Sequence, residues 1–216
     1  MTSTTPDYRT FDLHGSHYTI GRRLGELNPV FATPPWWPEP PDLDFARACE
    51  SAIAAWHPPL LDEFAGYAEA QGQSYDELLR VLCRKSLRTR LPANPPPNPQ
   101  SPISNLQSLI SNLQPEHGGC SSFAWRGPDS HIRVGRNYDF YSFQTIRQRI
   151  RLVPDTGYPT VAMRGSVPGG RYDGVNCSGL FVSLHVIMAD QPDPVQPGIP
   201  FHLIPRILLE TCCDVP

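Results

Sequence analysis

A thiol, a guanidinium and a carboxylate are spaced closely enough in this sequence to act together. They belong to Cys120, Arg136 and Asp139. A cysteine attacks a carbonyl carbon as its thiolate, which a neighbouring cation stabilises and a positioned base generates. Arg136 offers the cation, and the carboxylate of Asp139 can orient the group that takes the proton. These residue types predict nucleophilic chemistry at a carbonyl.

The segment that carries these residues has the pattern of a β-hairpin. Apolar and aromatic residues flank residues 127–130, Gly-Pro-Asp-Ser, which is a run typical of a turn. A two-residue tip at Pro-Asp would pair Cys120 with Asn137 and place the carboxylate just beyond. In that register Arg136 points to the opposite face from the carboxylate, but Gly135 beside it would permit a bulge that re-aims it.

The base has an unusual candidate source. No Cys/His/Asn signature of the papain or caspase type surrounds Cys120. Cleavage of the peptide bond between Gly119 and Cys120 would give Cys120 a free α-amine, whose ordinary pKa of about 7.7–8.0 suits a general base at neutral pH. One residue would then supply both the nucleophile and the base.

These motifs resemble those of a known family. Residues 119–123, Gly-Cys-Ser-Ser-Phe, and 135–140, Gly-Arg-Asn-Tyr-Asp-Phe, look like the N-terminal nucleophile (Ntn) amidases of the acyl-coenzyme A:6-aminopenicillanic acid acyltransferase family, peptidase family C45. That family is related to penicillin V acylases, bile salt hydrolases and acid ceramidase. Residues 173–180 resemble its Gly-x-Asn-Glu-x-Gly-Leu signature, with Cys177 where glutamate is usual. Residues 14–25 are similar to the opening helix of its precursors.

The resemblance implies a fold and a set of roles. The fold is an Ntn-type four-layer αββα sandwich, present here in part, with a helical N-terminal pro-segment that stays associated with the catalytic part. In bile salt hydrolase relatives an asparagine near residue 185 helps to bind the oxyanion. The nearest polar side chain here is His185, which could donate that hydrogen bond.

Aromatic residues crowd the hairpin and its exit. They are candidates for an apolar acyl pocket, and ordinary strand core is the alternative. The residues are Trp125, Tyr138, Phe140, Tyr141 and Phe143.

The patterns around this hairpin predict an α+β fold, because helices precede strands that are followed by one more helix. Residues 1–91 form the helical segment, with a short strand near 8–14 and helices predicted over 16–27, 42–56, 58–72 and 74–87. A plain helical subdomain is the alternative to a pro-segment. Residues 92–118 are a proline-rich, low-complexity linker.

Residues 119–216 are predicted to be the first half of an Ntn domain. Strand patterns cover 147–153, 159–164 and 180–188, and a helix pattern covers 201–212. Because family members continue further, we expect the chain to lack a second half, to be poorly soluble and to be weakly active or inactive. An uncovered sheet edge could pair with a second copy of the chain, so a homo-oligomer is possible.

Composition restricts the binding partners and the cellular location that we expect. The net charge is −3, which gives no reason to expect nucleic acid or an anionic membrane as partner, so the substrate is expected to be small. No signal peptide or membrane span is apparent, which predicts a cytoplasmic protein.

The six cysteines lack framework spacing, so no disulfide is predicted. No cofactor is expected, and the histidines lack an H-E-x-x-H or C-x-x-C partner, so no metal site is predicted either.

The function predicted is that of an autoprocessed cysteine Ntn amidohydrolase or acyltransferase. It would act on an N-acylated small molecule through an acyl-enzyme on Cys120, with acyl-CoA as one candidate partner. A truncated, non-catalytic remnant that at most binds ligand is the alternative. A redox protein using Cys212 and Cys213 is disfavoured, because adjacent cysteines make a strained ring.

Overall fold

The computed structural model describes residues 9–27, 39–83, 120–138, 148–165, 167–185 and 196–215. The chain divides into two compact units. One holds residues 1–89, 145–184 and 191–216, and the other holds residues 90–144 and 185–190. The predicted linker over 92–118, together with Gly119, Asp139, Phe140, Tyr141 and Phe143, lies outside the described residues.

The helices of the first unit lie where the sequence predicts them. They are α1 (His17–Leu27), α2 (Leu43–Trp56), α3 (Pro59–Gln71) and α4 (Tyr75–Cys83), followed near the end of the chain by α5 (Ile204–Thr211). Their ends follow local rules. The backbone N–H of Thr19 donates to the Ser16 hydroxyl at 3.2 Å, and that of Phe45 donates to the Asp42 carboxylate at 2.8 Å. Gly72 ends α3 with a positive φ of 62°.

A mixed sheet accompanies these helices. Within the described part of the first unit its strands run in the order β1 (Thr10–Gly15), β4 (Arg149–Pro154), β5 (Thr160–Arg164), β6 (Arg171–Asn176) and β7 (Phe181–Ser183). The last four pair antiparallel, whereas β1 runs parallel to β4. The fold is therefore α+β, as predicted.

Strand β6 was missed by the sequence analysis. Its residues, Arg-Tyr-Asp-Gly-Val-Asn, include glycine, aspartate and asparagine, which are depleted in strands. It forms because it has a neighbour on each side: Gly174 pairs with Ala162 of β5 and with Val182 of β7. Tertiary pairing decides the conformation here.

The core of the first unit is made of both ends of the chain. Leu13, Ile20 and Phe64 from the N-terminal segment form one buried cluster with Ile150, Leu152, Leu203 and Ile207 from the C-terminal segment. A second, smaller cluster lies between α2 and α4, where Cys49 and Cys83 are fully buried. No helix in the described ranges is long and apolar enough to cross a membrane.

Helices α1 and α3 approach each other at glycines. A Cβ on Gly21 would overlap the backbone carbonyl of Glu63, and a Cβ on Gly66 would overlap that of Tyr18. The neighbouring atoms are backbone, which cannot rotate away. The close packing of these helices therefore requires glycine at both positions.

The substitution Gly66→Ala should destabilise the protein by about 1–3 kcal/mol, because the added methyl group forces the two helices apart. Denaturant unfolding followed by circular dichroism measures the change. Gly198→Ala is the matched control, since no atom lies within 4 Å of a Cβ placed there. Equal stability of the two variants would contradict this account of the helix packing.

Candidate active site

The second unit contains the predicted hairpin, formed by β2 (Cys120–Arg126) and β3 (Ile132–Tyr138). Its register differs from the predicted one by one residue: Cys120 pairs with Tyr138, and Asn137 pairs with Ser121. The prediction that Cys120 lies opposite Asn137 is therefore wrong.

The loop between the strands causes this difference. The N–H of Ser130 donates to the carbonyl of Gly127 at 3.0 Å, and the N–H of Gly127 donates to that of His131 at 2.9 Å. Ser130 has a positive φ of 63°. A tight turn followed by a left-handed residue makes a three-residue loop, whereas the prediction assumed two. The additional residue shifts every pair across the hairpin.

The shift brings the cation to the nucleophile. Arg136 pairs with Ser122, which shares its strand face with Cys120 because side chains alternate. The Arg136 Nη2 atom donates to the Cys120 Sγ atom at 3.7 Å. The pairing is continuous, so the bulge that Gly135 would permit is absent from this described hairpin. Gly135 instead leaves room for the ring of Phe123 opposite.

The other predicted site residues lie as follows. Trp125 is on the opposite strand face from Cys120, where the guanidinium of Arg133 lies 5.3 Å from the centre of its ring. Tyr138 is the backbone partner of Cys120. His185 follows β7, is half-buried and belongs to the same unit as residues 90–144. The roles of these residues stay predictions.

An ion pair fixes the hairpin tip. Arg133 binds Asp129 through two contacts, of 2.9 Å and 2.6 Å, and the backbone N–H of His131 donates to the same carboxylate at 3.2 Å. The hydrogen bonds from Arg133, with a smaller effect from His131, lower the pKa of Asp129 to about 2.

The signature over residues 173–180 has a structural role in this fold. The Asn176 side-chain oxygen accepts from the N–H groups of Ser178 and Leu180, both at 3.0 Å, and its nitrogen donates to the carbonyls of Leu209 at 3.1 Å and Cys212 at 2.6 Å. Asn176 thereby closes the β6–β7 turn and ties it to the end of α5. Cys177, which replaces the usual glutamate, is exposed.

The first unit also buries a group of charged and titratable side chains that the sequence analysis missed. Glu210 accepts from Arg206 Nε at 2.6 Å, and its other oxygen lies 2.7 Å from His57 Nε2 and 3.0 Å from His17 Nε2. Arg206 also binds Glu63 at 2.8 Å. Burial alone would raise the pKa of Glu210, but the charge of Arg206 and the two histidine contacts hold it well below its usual range.

The clue to this group was the spacing of Arg206 and Glu210. Oppositely charged residues four apart on a helix are neighbours. Their histidine partners are remote in sequence, so only the tertiary structure brings the group together.

Comparison with protein families adds one finding. The family model described as acyl-coenzyme A:6-aminopenicillanic acid acyl-transferase matches residues 125–216. The predicted family is thus confirmed for this segment. The matched segment includes Arg136 and the signature over 173–180, and it begins after Cys120. A comparison with curated proteins finds no match. This match indicates acyl transfer or the related hydrolysis in general.

We expect the Asp129 carboxyl group to titrate near pH 2, against 3.8 for an ordinary aspartate. Because the folded-state pKa is the lower one, the ion pair stabilises the tip above about pH 4 and is lost as the pH falls towards 2. Carbon chemical shifts measured by NMR report this titration.

Arg133→Gln should move the titration midpoint of Asp129 upward. Arg126→Gln is the control, because Arg126 contacts the Ser130 carbonyl oxygen and not the carboxylate. The same midpoint in the wild type and in Arg133→Gln would show that the ion pair is not formed in solution.

Proposed function

We propose that the protein is an autoprocessed cysteine Ntn amidohydrolase or acyltransferase that acts on an N-acylated small molecule. The observation that carries the proposal is the 3.7 Å contact between Arg136 Nη2 and Cys120 Sγ on one face of the hairpin. A donor with a fixed positive charge favours the thiolate over the thiol. The family match beginning at residue 125 supports acyl transfer as the class of reaction.

The mechanism uses the α-amine that cleavage before Cys120 would create. This amine takes the thiol proton, and the thiolate attacks the carbonyl carbon of the substrate. His185 donates a hydrogen bond to the oxyanion. The α-ammonium then protonates the leaving amine as the carbon–nitrogen bond breaks, which leaves a thioester on Cys120. Water or an acceptor amine attacks this thioester and regenerates the thiol. Asp139 orients the α-amine, and Arg136 stabilises the thiolate.

Cleavage at this position would leave two polypeptides that hold together without a covalent bond. Strand β1, from the part before the cut, pairs with β4, from the part after it, over six residues. Arg206 of the later part forms a buried ion pair with Glu63 of the earlier part. These contacts support the role of residues 1–91 as a pro-segment that stays associated.

The substrate is proposed to carry an apolar acyl group. Trp125 is about half exposed on the hairpin, and we propose that it contacts such a group together with Tyr138, Phe140 and Tyr141. Acyl-CoA is one candidate donor. The alternative is a remnant without turnover, and it is favoured by one observation: β2 is exposed along its length after Cys120. Turnover separates the two.

The proposed mechanism predicts self-cleavage between Gly119 and Cys120. Electrophoresis and intact mass should show two polypeptides, the second beginning at Cys120, while Cys120→Ala should remain a single chain. Cys177→Ala is the matched control, because that thiol is exposed and lies outside the hairpin. A wild-type protein that stays one chain and still turns over an amide substrate would disprove the α-amine mechanism.

The mechanism also predicts how Arg136 affects the reactivity of the Cys120 thiol. Arg136→Gln should slow its alkylation by iodoacetamide roughly 3- to 10-fold, because the thiolate loses a charged hydrogen-bond donor that is partly screened by solvent. Peptide mapping by mass spectrometry follows this cysteine separately from the other five. Arg133→Gln, on the opposite strand face, should leave the rate unchanged. Equal rates in all three proteins would remove Arg136 from the mechanism.

A further inference from the structure

The buried group around Glu210 contains a set of metal-ligand atoms that acyl transfer does not use. His17 Nε2, His57 Nε2 and a Glu210 carboxylate oxygen all lie within 4.8 Å of one another. The three residues are at most 5% exposed. We propose that they form a structural binding site for a divalent transition-metal ion, with Zn²⁺ as the fitting ion. The sequence analysis predicted no metal site, so this proposal departs from it.

The geometry suits zinc. Both imidazole Nε2 atoms point at the same carboxylate oxygen of Glu210, at 3.0 Å for His17 and 2.7 Å for His57. Ligand atoms on a tetrahedral zinc with bonds of about 2.0–2.1 Å lie roughly 3.3 Å apart. The two nitrogen–oxygen distances would therefore need to open by a few tenths of an ångström, and the two Nε2 atoms, which lie within 4.8 Å of each other, would need to come to about 3.3 Å. The two rings meet edge to face, with centroids 5.4 Å apart, so both can turn a nitrogen towards one point.

The surrounding side chains hold the carboxylate in place. Arg206 Nε binds the Glu210 oxygen that faces away from the histidines, and Glu63 in turn binds Arg206. Groups that hydrogen-bond a metal ligand in this way fix its orientation. Two histidines and one glutamate hold zinc in some zinc enzymes, where a water molecule completes the tetrahedron. In the metal-free form each Nε2 carries the proton that it donates to the Glu210 carboxylate, so a neutral histidine that binds the ion through Nε2 must hold its proton on Nδ1 instead.

Charge sets the strength of the site. With neutral histidines, Glu63 and Glu210 carry two negative charges, and the buried guanidinium groups of Arg206 and Arg171 carry two positive ones. The site therefore has no excess negative charge to attract a cation, and its nitrogen and oxygen donors would have to hold the ion. Burial, followed by the charge of Arg206, lowers the pKa of Arg171 to about 9. We therefore expect moderate rather than very tight binding.

The position of the site gives it a function. His17 begins α1 and His57 lies between α2 and α3, whereas Glu210 belongs to α5. A bound ion would therefore join the N-terminal helices to the C-terminal helix, across the proposed cut. It would act as a structural crosslink, and it uses none of the residues proposed for acyl transfer.

The test is a refolding experiment with the full chain. The protein is unfolded in guanidinium chloride with a chelator and refolded with Zn²⁺, with Mg²⁺ or without metal. Because the site is buried, refolding gives the ion access to it. After gel filtration, elemental analysis should find about one zinc per chain and no retained magnesium, and zinc should raise the melting temperature. Refolded Co²⁺ protein should show visible absorption bands without a thiolate charge-transfer band.

Variants identify the ligands. His17→Gln and His57→Gln should each weaken zinc binding at least about tenfold and abolish the rise in melting temperature. His14→Gln is the matched control, since this histidine is exposed on β1 next to Asp12, and it should bind zinc as the wild type does. A wild-type protein that retains no stoichiometric zinc overturns the proposal whether or not the variants fold. Undiminished binding in both variants, or a thiolate band, overturns it as well.

Discussion

The first unit is built around charges that are removed from water and must therefore be paired. Arg206 and Glu210 are at most 1% exposed, and so is Glu63. An unpaired charge in such a place would cost several kcal/mol, so each of these groups depends on the others. They lie on α3 and α5, and the histidine partners lie at α1 and before α3. The packing of helices from both ends of the chain is constrained by this one group.

This constraint explains why the two ends of the chain form one core. The ion pairs fix the position of α5 against α3, and the glycines at positions 21 and 66 then let α1 approach α3 closely. Apolar burial provides most of the stabilisation. The polar group adds specificity, because a shifted helix would leave a buried charge without a partner. Asn176, at the end of β6, joins the sheet to α5 because its side chain donates to the last carbonyl groups of that helix.

The hairpin depends on a smaller constraint, the length of its loop. A loop of three residues rather than two changes which side chains share a face, since strand faces alternate with every residue. The left-handed conformation of Ser130 permits that third residue. As a result Arg136 reaches the Cys120 thiol with no irregularity in the strand. The chemistry proposed for this site therefore depends on one backbone conformation at the far end of the hairpin.

The sequence by itself determined the features that depend on local pattern. The helices, the turn over 127–130, the α+β class and the resemblance to the acyltransferase family were all readable from it. It also identified Cys120 and Arg136 as partners, although in the wrong register and with a bulge at Gly135 as the way to re-aim Arg136. These features follow from neighbouring residues, whose preferences act over a few positions.

Only the tertiary structure decided the features that depend on remote residues. Strand β6 has weak strand propensity and forms because β5 and β7 flank it. The parallel pairing of β1 with β4 joins segments more than a hundred residues apart. His17, His57 and Glu210 carry no motif, because their spacing follows from how helices pack and not from any local repeat. The sequence determined the site's residue types, and the packing decided which of them meet.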